Sequence, residues 1–112
     1  MTATPPSEDL SAGPYADAPA EVLAALSRHR ASIDNIDNAL IHLLAERFKH
    51  TGAVGVMKAE HDLAVSDQGR EDAQALRVRA LAERVGLDTE VAERFIRFLI
   101  DEVLTKHRAL RK

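Results

Sequence analysis

From Val22 onward, apolar residues return every three or four positions: Val22, Leu26, Ile33, Ile36, Leu40, Leu43, Leu44, Phe48, Val54 and Met57. That spacing keeps them on one helix face, and it predicts a long first helix from about Glu21 to His61. A helix of about forty residues is a rod of about 60 Å. Such a rod cannot fold back on its own stripe, so other helices or a second copy must cover it. Gly52 and Gly55 weaken it and mark a close approach by another helix. Asp62–Ser66 reads as a loop. Asp67 (or Ser66) is a good N-cap for a second helix, about Gln68 to Arg84, which Gly86 ends. Asp88 caps a third helix, about Thr89 to Arg108, with the stripe Val91, Phe95, Phe98, Leu99 and Val103. Residues 109–112 read as a frayed end. No segment alternates with period two in β-branched residues. The expected fold is all-α, with a long, a short and a medium helix in each chain.

Composition adds a boundary. All four prolines and none of the Lys or Arg fall in the first 19 residues. Residues 1–19 therefore read as a flexible N-terminal tail, and 20–112 as the one domain. The chain has no cysteine, which rules out disulfides and thiolate sites and fits a reducing compartment. A net charge of −3 speaks against a nucleic-acid footprint. No apolar run approaches the ~20 residues of a membrane span, and the start lacks the pattern of a signal peptide. The expected location is the cytoplasm. His29, His42, His50, His61 and His107 form no metal-binding pattern, and no phosphate-binding or nucleophile motif occurs. No metal and no cofactor are expected, so any chemistry would work by positioning and charge.

The informative residues are charged ones that share apolar faces. Arg47 and Lys58 are eleven positions apart, so they point within about 20° of one another, some ~16 Å apart along the axis. Arg47 also lies in phase with Leu40, Leu43 and Leu44. A cation drawn into a core needs an anion, and one held between Arg47 and Lys58 would serve. The plainer alternative is that both snorkel to solvent or pair with acids of another helix. Arg30 precedes Arg47 by seventeen positions, about 25 Å of rod. One small ligand could meet both only if Arg30 came from another subunit; otherwise Arg30 is an exposed helix residue. Asp67, Arg70 and Glu71 share a face at the start of the second helix. Acids there suit the helix dipole, whereas Arg70 does not. His107 follows Val103 and Leu99 on the third stripe, as either a core histidine or a ligand contact.

Read in order, Arg30-x-x-Ile33-x-x-Ile36-Asp37, Leu43-Leu44-Ala45-Glu46-Arg47, Gly55-x-x-Lys58-Ala59, Asp67-x-x-Arg70-Glu71 and Gly86-Leu87-Asp88 resemble the all-helical chorismate mutases over about residues 22–110. The resemblance implies an intertwined helical homodimer with two equivalent sites. It implies the Claisen-type rearrangement of chorismate to prephenate, without a cofactor, in aromatic amino acid biosynthesis. Arg47, Arg70 and the partner copy's Arg30 would hold the substrate carboxylates. Lys58 would donate to the ether oxygen, Glu71 would accept from the ring hydroxyl, and Asp67 would support that end. Two positions depart from the best-known pattern: Val103 replaces a small hydroxyl residue, and His107 replaces a Gln that shares the ether oxygen with Lys58. A histidine N–H can make that bond. Alternatives are an isochorismate-pyruvate lyase, a 4-amino-4-deoxychorismate mutase, and a non-catalytic helical dimerisation module. The acids Asp67 and Glu71 favour the mutase over the lyase. The module leaves Arg47, Lys58, Arg70 and Glu71 unexplained as a set.

Overall fold

A computed structural model describes residues 10–111. It contains three helices and, among the described residues, no strand: α1 (Ala20–Glu60), α2 (Gln68–Val85) and α3 (Thr89–Ala109). At 41, 18 and 21 residues they are long, short and medium, as the apolar spacing predicts. No helix among the described residues is long and apolar enough to cross a membrane.

Each boundary has a local cause. The Pro19 carbonyl accepts from the Val22 and Leu23 N–H groups and opens α1. Past its end, Asp62 takes a left-handed conformation, φ 53°. The Leu63 N–H then reaches back to the Lys58 carbonyl at 2.8 Å, the Schellman closure of orphan carbonyls. Gly86, φ 78°, closes α2 in the same way, with Leu87 N–H on the Ala82 carbonyl. Asp67 Oδ1 accepts from the Arg70 N–H, and Asp88 Oδ1 from those of Glu90 and Val91. These are the two expected N-caps.

Of the segment read as a tail, residues 1–9 lie outside the described residues. Residues 11–18 carry turns, in which Ala16 N–H donates to the Gly13 carbonyl and Ala18 N–H to that of Tyr15. The other terminus is held more firmly than its composition suggests. Arg111 donates to the carbonyls of Lys58 and Leu63 and pairs with Asp62 at 3.5 Å.

The chain divides into two units inside α1, after Glu46. In the first unit Ile33, Ile36, Leu40 and Leu43 are between 46 and 66% exposed. This stretch of the α1 stripe is thus exposed, whereas Leu26, Leu44 and Phe48 are partly buried. The second unit, from Arg47, contains the buried residues: Gly55 of α1, Ala75 and Ala82 of α2, and Ala92, Ile96, Leu99, Ile100 and His107 of α3. Alanine on α2 lets the larger α3 side chains come close. Arg79 pairs with Glu93 at 2.7 Å across the two helices; being partly exposed, the pair adds little stability. The stripe expected for α3 is shifted. Leu99 is buried, but Ala92, Ile96 and Ile100 accompany it, while Val91, Phe95 and Phe98 are 43 to 58% exposed. The apolar arc of α3 is wide enough for two partners, and α2 takes only one side of it.

Candidate active site

The second unit forms a half-open cavity of about 370 Å³ between the end of α1, the start of α2 and the end of α3. Seven residues singled out in the sequence line it: Arg47, Lys58, Asp67, Arg70, Glu71, Val103 and His107. Arg30 belongs to the first unit and is not among the lining residues. Thr51, Gln74 and Ile100 line the wall too and were not anticipated. Thr51 is one turn beyond Arg47, and Gln74 one turn beyond Arg70, so helical spacing could have found both.

The helices set the positions. Arg47 and Lys58 share a face of α1 three turns apart, as their spacing requires. Arg70 and Glu71 occupy the first turn of α2, immediately after the cap at Asp67. Glu71 Oε2 accepts from Ser66 Oγ at 2.8 Å. Lys58 Nζ donates to the Val65 carbonyl at 3.0 Å, which fastens the loop between α1 and α2 to the rim of the cavity. An ammonium has three donors, so this bond leaves Lys58 able to make others.

Arg47 is the unusual group. Its Nη1 is shut off from water and has no hydrogen-bond partner. Burial, and then the nearby charges of Arg70 and Arg77, hold its pKa below the ordinary guanidinium value. Among the described residues neither Arg47, Arg70 nor Lys58 is paired with a carboxylate. Arg47, Lys58 and Arg70 thus face the cavity together with the carboxylates of Asp67 and Glu71, which leaves one positive charge in excess, and a cation partly withdrawn from water without a partner is costly. A compact dianion would remove that cost, and paired carboxylates suit the guanidinium fork.

His107 closes the far wall. It is 4% exposed, and its Nε2 lies 2.8 Å from the Thr51 carbonyl. A carbonyl only accepts, so Nε2 carries the proton. Nδ1 is buried without a partner. The ring presses so closely on α1 that a Cβ at Gly55 would sit 2.5 Å from its Cδ2. Gly55 is thus the close approach foreseen in the sequence; Gly52 has nothing within 4 Å. Lys106 lies over the Phe48 ring at 4.1 Å and adds a second tie between α3 and α1. Among the described residues no group of three or more His, Asp or Glu is placed to hold a metal ion.

The sequence pattern that describes chorismate mutase type II matches residues 29–108, which include every residue of the cavity. The chain is 32% identical over 80 residues to the T-protein of Haemophilus influenzae, a match covering 71% of this chain and 21% of that protein. It is 31% identical over 84 residues to the T-protein of Enterobacter agglomerans, covering 75% and 22%. The chain spans about a fifth of the length of these curated relatives. With most of its length, and its whole cavity, inside the family's pattern, this chain belongs to the chorismate mutase type II family.

Proposed function

We propose that the cavity binds chorismate and rearranges it to prephenate, a step of aromatic amino acid biosynthesis. The observation that carries this reading is that Arg47, Arg70 and Lys58 line one cavity and none of them is paired with a carboxylate among the described residues. Such a charge distribution calls for a small dianion, which chorismate is.

In the reaction the ether C–O bond breaks as a C–C bond forms within the same molecule. No atom enters or leaves, so no acid, base or cofactor is required. Two contributions remain for the protein. Arg47 and Arg70 fix the carboxylates so that the reacting carbons are held together. Lys58 then meets the negative charge that grows on the ether oxygen. Glu71 accepts from the ring hydroxyl, and Asp67 holds the start of α2 where Arg70 and Glu71 face the cavity. Val103 forms part of the apolar wall. His107 serves as a second donor to the ether oxygen. With Nε2–H on the Thr51 carbonyl and Nδ1 shut off from solvent, that role requires redirecting the ring's N–H.

Arg30 enters this reading through a second copy. The exposed face of Ile33, Ile36, Leu40 and Leu43 is of the kind that a second α1 covers in an intertwined dimer, which brings Arg30 of each chain to the cavity of the other.

The test is turnover by the purified chain, with EDTA present, of chorismate, isochorismate and 4-amino-4-deoxychorismate in separate assays. Prephenate should form from chorismate far above the spontaneous rate, with no effect of EDTA. Turnover of isochorismate or the amino compound in its place, or of none of the three, would overturn the assignment.

A further inference from the structure

We propose that Tyr15 is a positioning residue for Arg30, and that residues 11–18 are consequently a functional arm and not a passive leader. This rests on the reading that Arg30 completes a second copy's cavity. The Arg30 Cζ lies over the Tyr15 ring, 5.2 Å from its centroid, within range of a cation–π attraction. Tyr15 is held from both sides by turns. Gly13 and Ala16 close one, and the Tyr15 carbonyl accepts from Ala18 N–H in the next at 3.0 Å. Pro19 then starts α1. To bring Tyr15 to Arg30, ten positions into the helix, the arm must run back along α1. It meets a screened face: Leu23, Leu26, Ser27 and Arg30 are partly buried, while Val22, Ala24, Arg28 and His29 are exposed.

The chemistry follows from the shape of the guanidinium. Its donors lie in its plane, whereas an aromatic ring attracts the cation as a whole. A ring that confines the long side chain removes rotamer freedom before the ligand arrives, so less is lost when a carboxylate is bound. The contribution is to binding, since Tyr15 acts on the substrate only through Arg30.

The full chain allows the contact and its consequence to be read separately, because Tyr15 is the only tyrosine and there is no tryptophan. The near-ultraviolet tyrosine signal therefore reports on this site alone. Tyr15→Ala should raise KM for chorismate about three- to tenfold, with kcat within about twofold of wild type. Tyr15→Phe should restore KM, since the ring is what acts. Arg30→Ala should change the near-ultraviolet tyrosine signal and lower kcat/KM further than Tyr15→Ala does. An unchanged KM in Tyr15→Ala, with Arg30→Ala impaired, would overturn the role of Tyr15 and leave that of Arg30 intact. Unimpaired kcat/KM in Arg30→Ala would instead overturn the shared-site reading beneath it. A tyrosine signal indifferent to Arg30→Ala would remove the contact itself.

Discussion

Arg47→Met should lose turnover by a factor on the order of 10²–10³ or more, yet unfold at the same temperature as wild type or slightly above it. The two halves of this result have one cause. Arg47 is half-buried, with Nη1 cut off from water and unpartnered and with Arg70 and Arg77 nearby. Partial desolvation and two neighbouring cations both disfavour its charged form. An unbranched apolar side chain of similar reach removes the desolvation and the repulsion, and a trade of stability for activity is expected where a site stores unpaired charge. The sign of the pKa shift agrees. A cation whose folded-state pKa is depressed lowers stability at every pH below that pKa, and relief comes only as pH rises through it. For a guanidinium this lies above the neutral range, so the stability difference between variant and wild type should be flat across neutral pH. Thermal melts and steady-state kinetics on the same preparations check both halves. A lower melting temperature accompanying the loss would mean that Arg47 supports the fold.

Two glycines one helical turn apart should respond in opposite directions to the same substitution. Gly52→Ala places a methyl group where nothing lies within 4 Å, and should stabilise α1 by about 0.5–1 kcal/mol through helix propensity. Gly55→Ala gains the same propensity but drives its Cβ to 2.5 Å from His107 Cδ2 and 2.8 Å from Nε2. Relief by a small rotation is blocked, because the ring is buried and tied to the Thr51 carbonyl. Overpacking of this kind costs about 1–3 kcal/mol, so the clash should win. The ring can escape only by breaking its bond to Thr51 or by moving α3 away from α1, and either change reshapes the cavity wall. Gly55→Ala should therefore melt earlier in urea and turn over chorismate far more slowly, while Gly52→Ala keeps full activity. Equal stability in the two variants would show that His107 is not packed on α1 as described.

The helices and their caps were readable because each depends on neighbours in the chain. Apolar spacing of three and four located α1, and Asp67, Gly86 and Asp88 fixed three of the remaining boundaries. Six of the seven cavity residues stand out by helical spacing, which sets a shared face on each helix, but their convergence on one cavity and the inclusion of Val103 are implied only by the resemblance to the all-helical chorismate mutases. What the sequence left undecided depends on how faces pair. Along α3 the rows Val91–Phe95–Phe98 and Ala92–Ile96–Leu99 both have helical period and differ by one step. Only the position of α2 decides which is buried. The bond from His107 to Thr51 joins residues 56 positions apart, and the clamp of Arg111 on Lys58 and Leu63 spans nearly as far. No local pattern encodes either. Residues 11–18 read as part of a tail because of their low apolar content, and the turn hydrogen bonds at Gly13–Ala16 and Tyr15–Ala18 and the contact of Tyr15 with Arg30 have no apolar repeat to announce them.

Subunit mixing tests most directly the idea that cations from two chains surround one substrate. Arg30→Ala and Arg47→Met should each be nearly inactive, because every site in either dimer lacks one guanidinium. Unfolded together in equal amounts and refolded, half the dimers should be mixed, and each of these holds one site with both arginines. Activity should return to about a quarter of the wild-type value, as two-fold symmetry requires. Mixed dimers that form, as shown by differently tagged chains, and stay inactive would contradict the account.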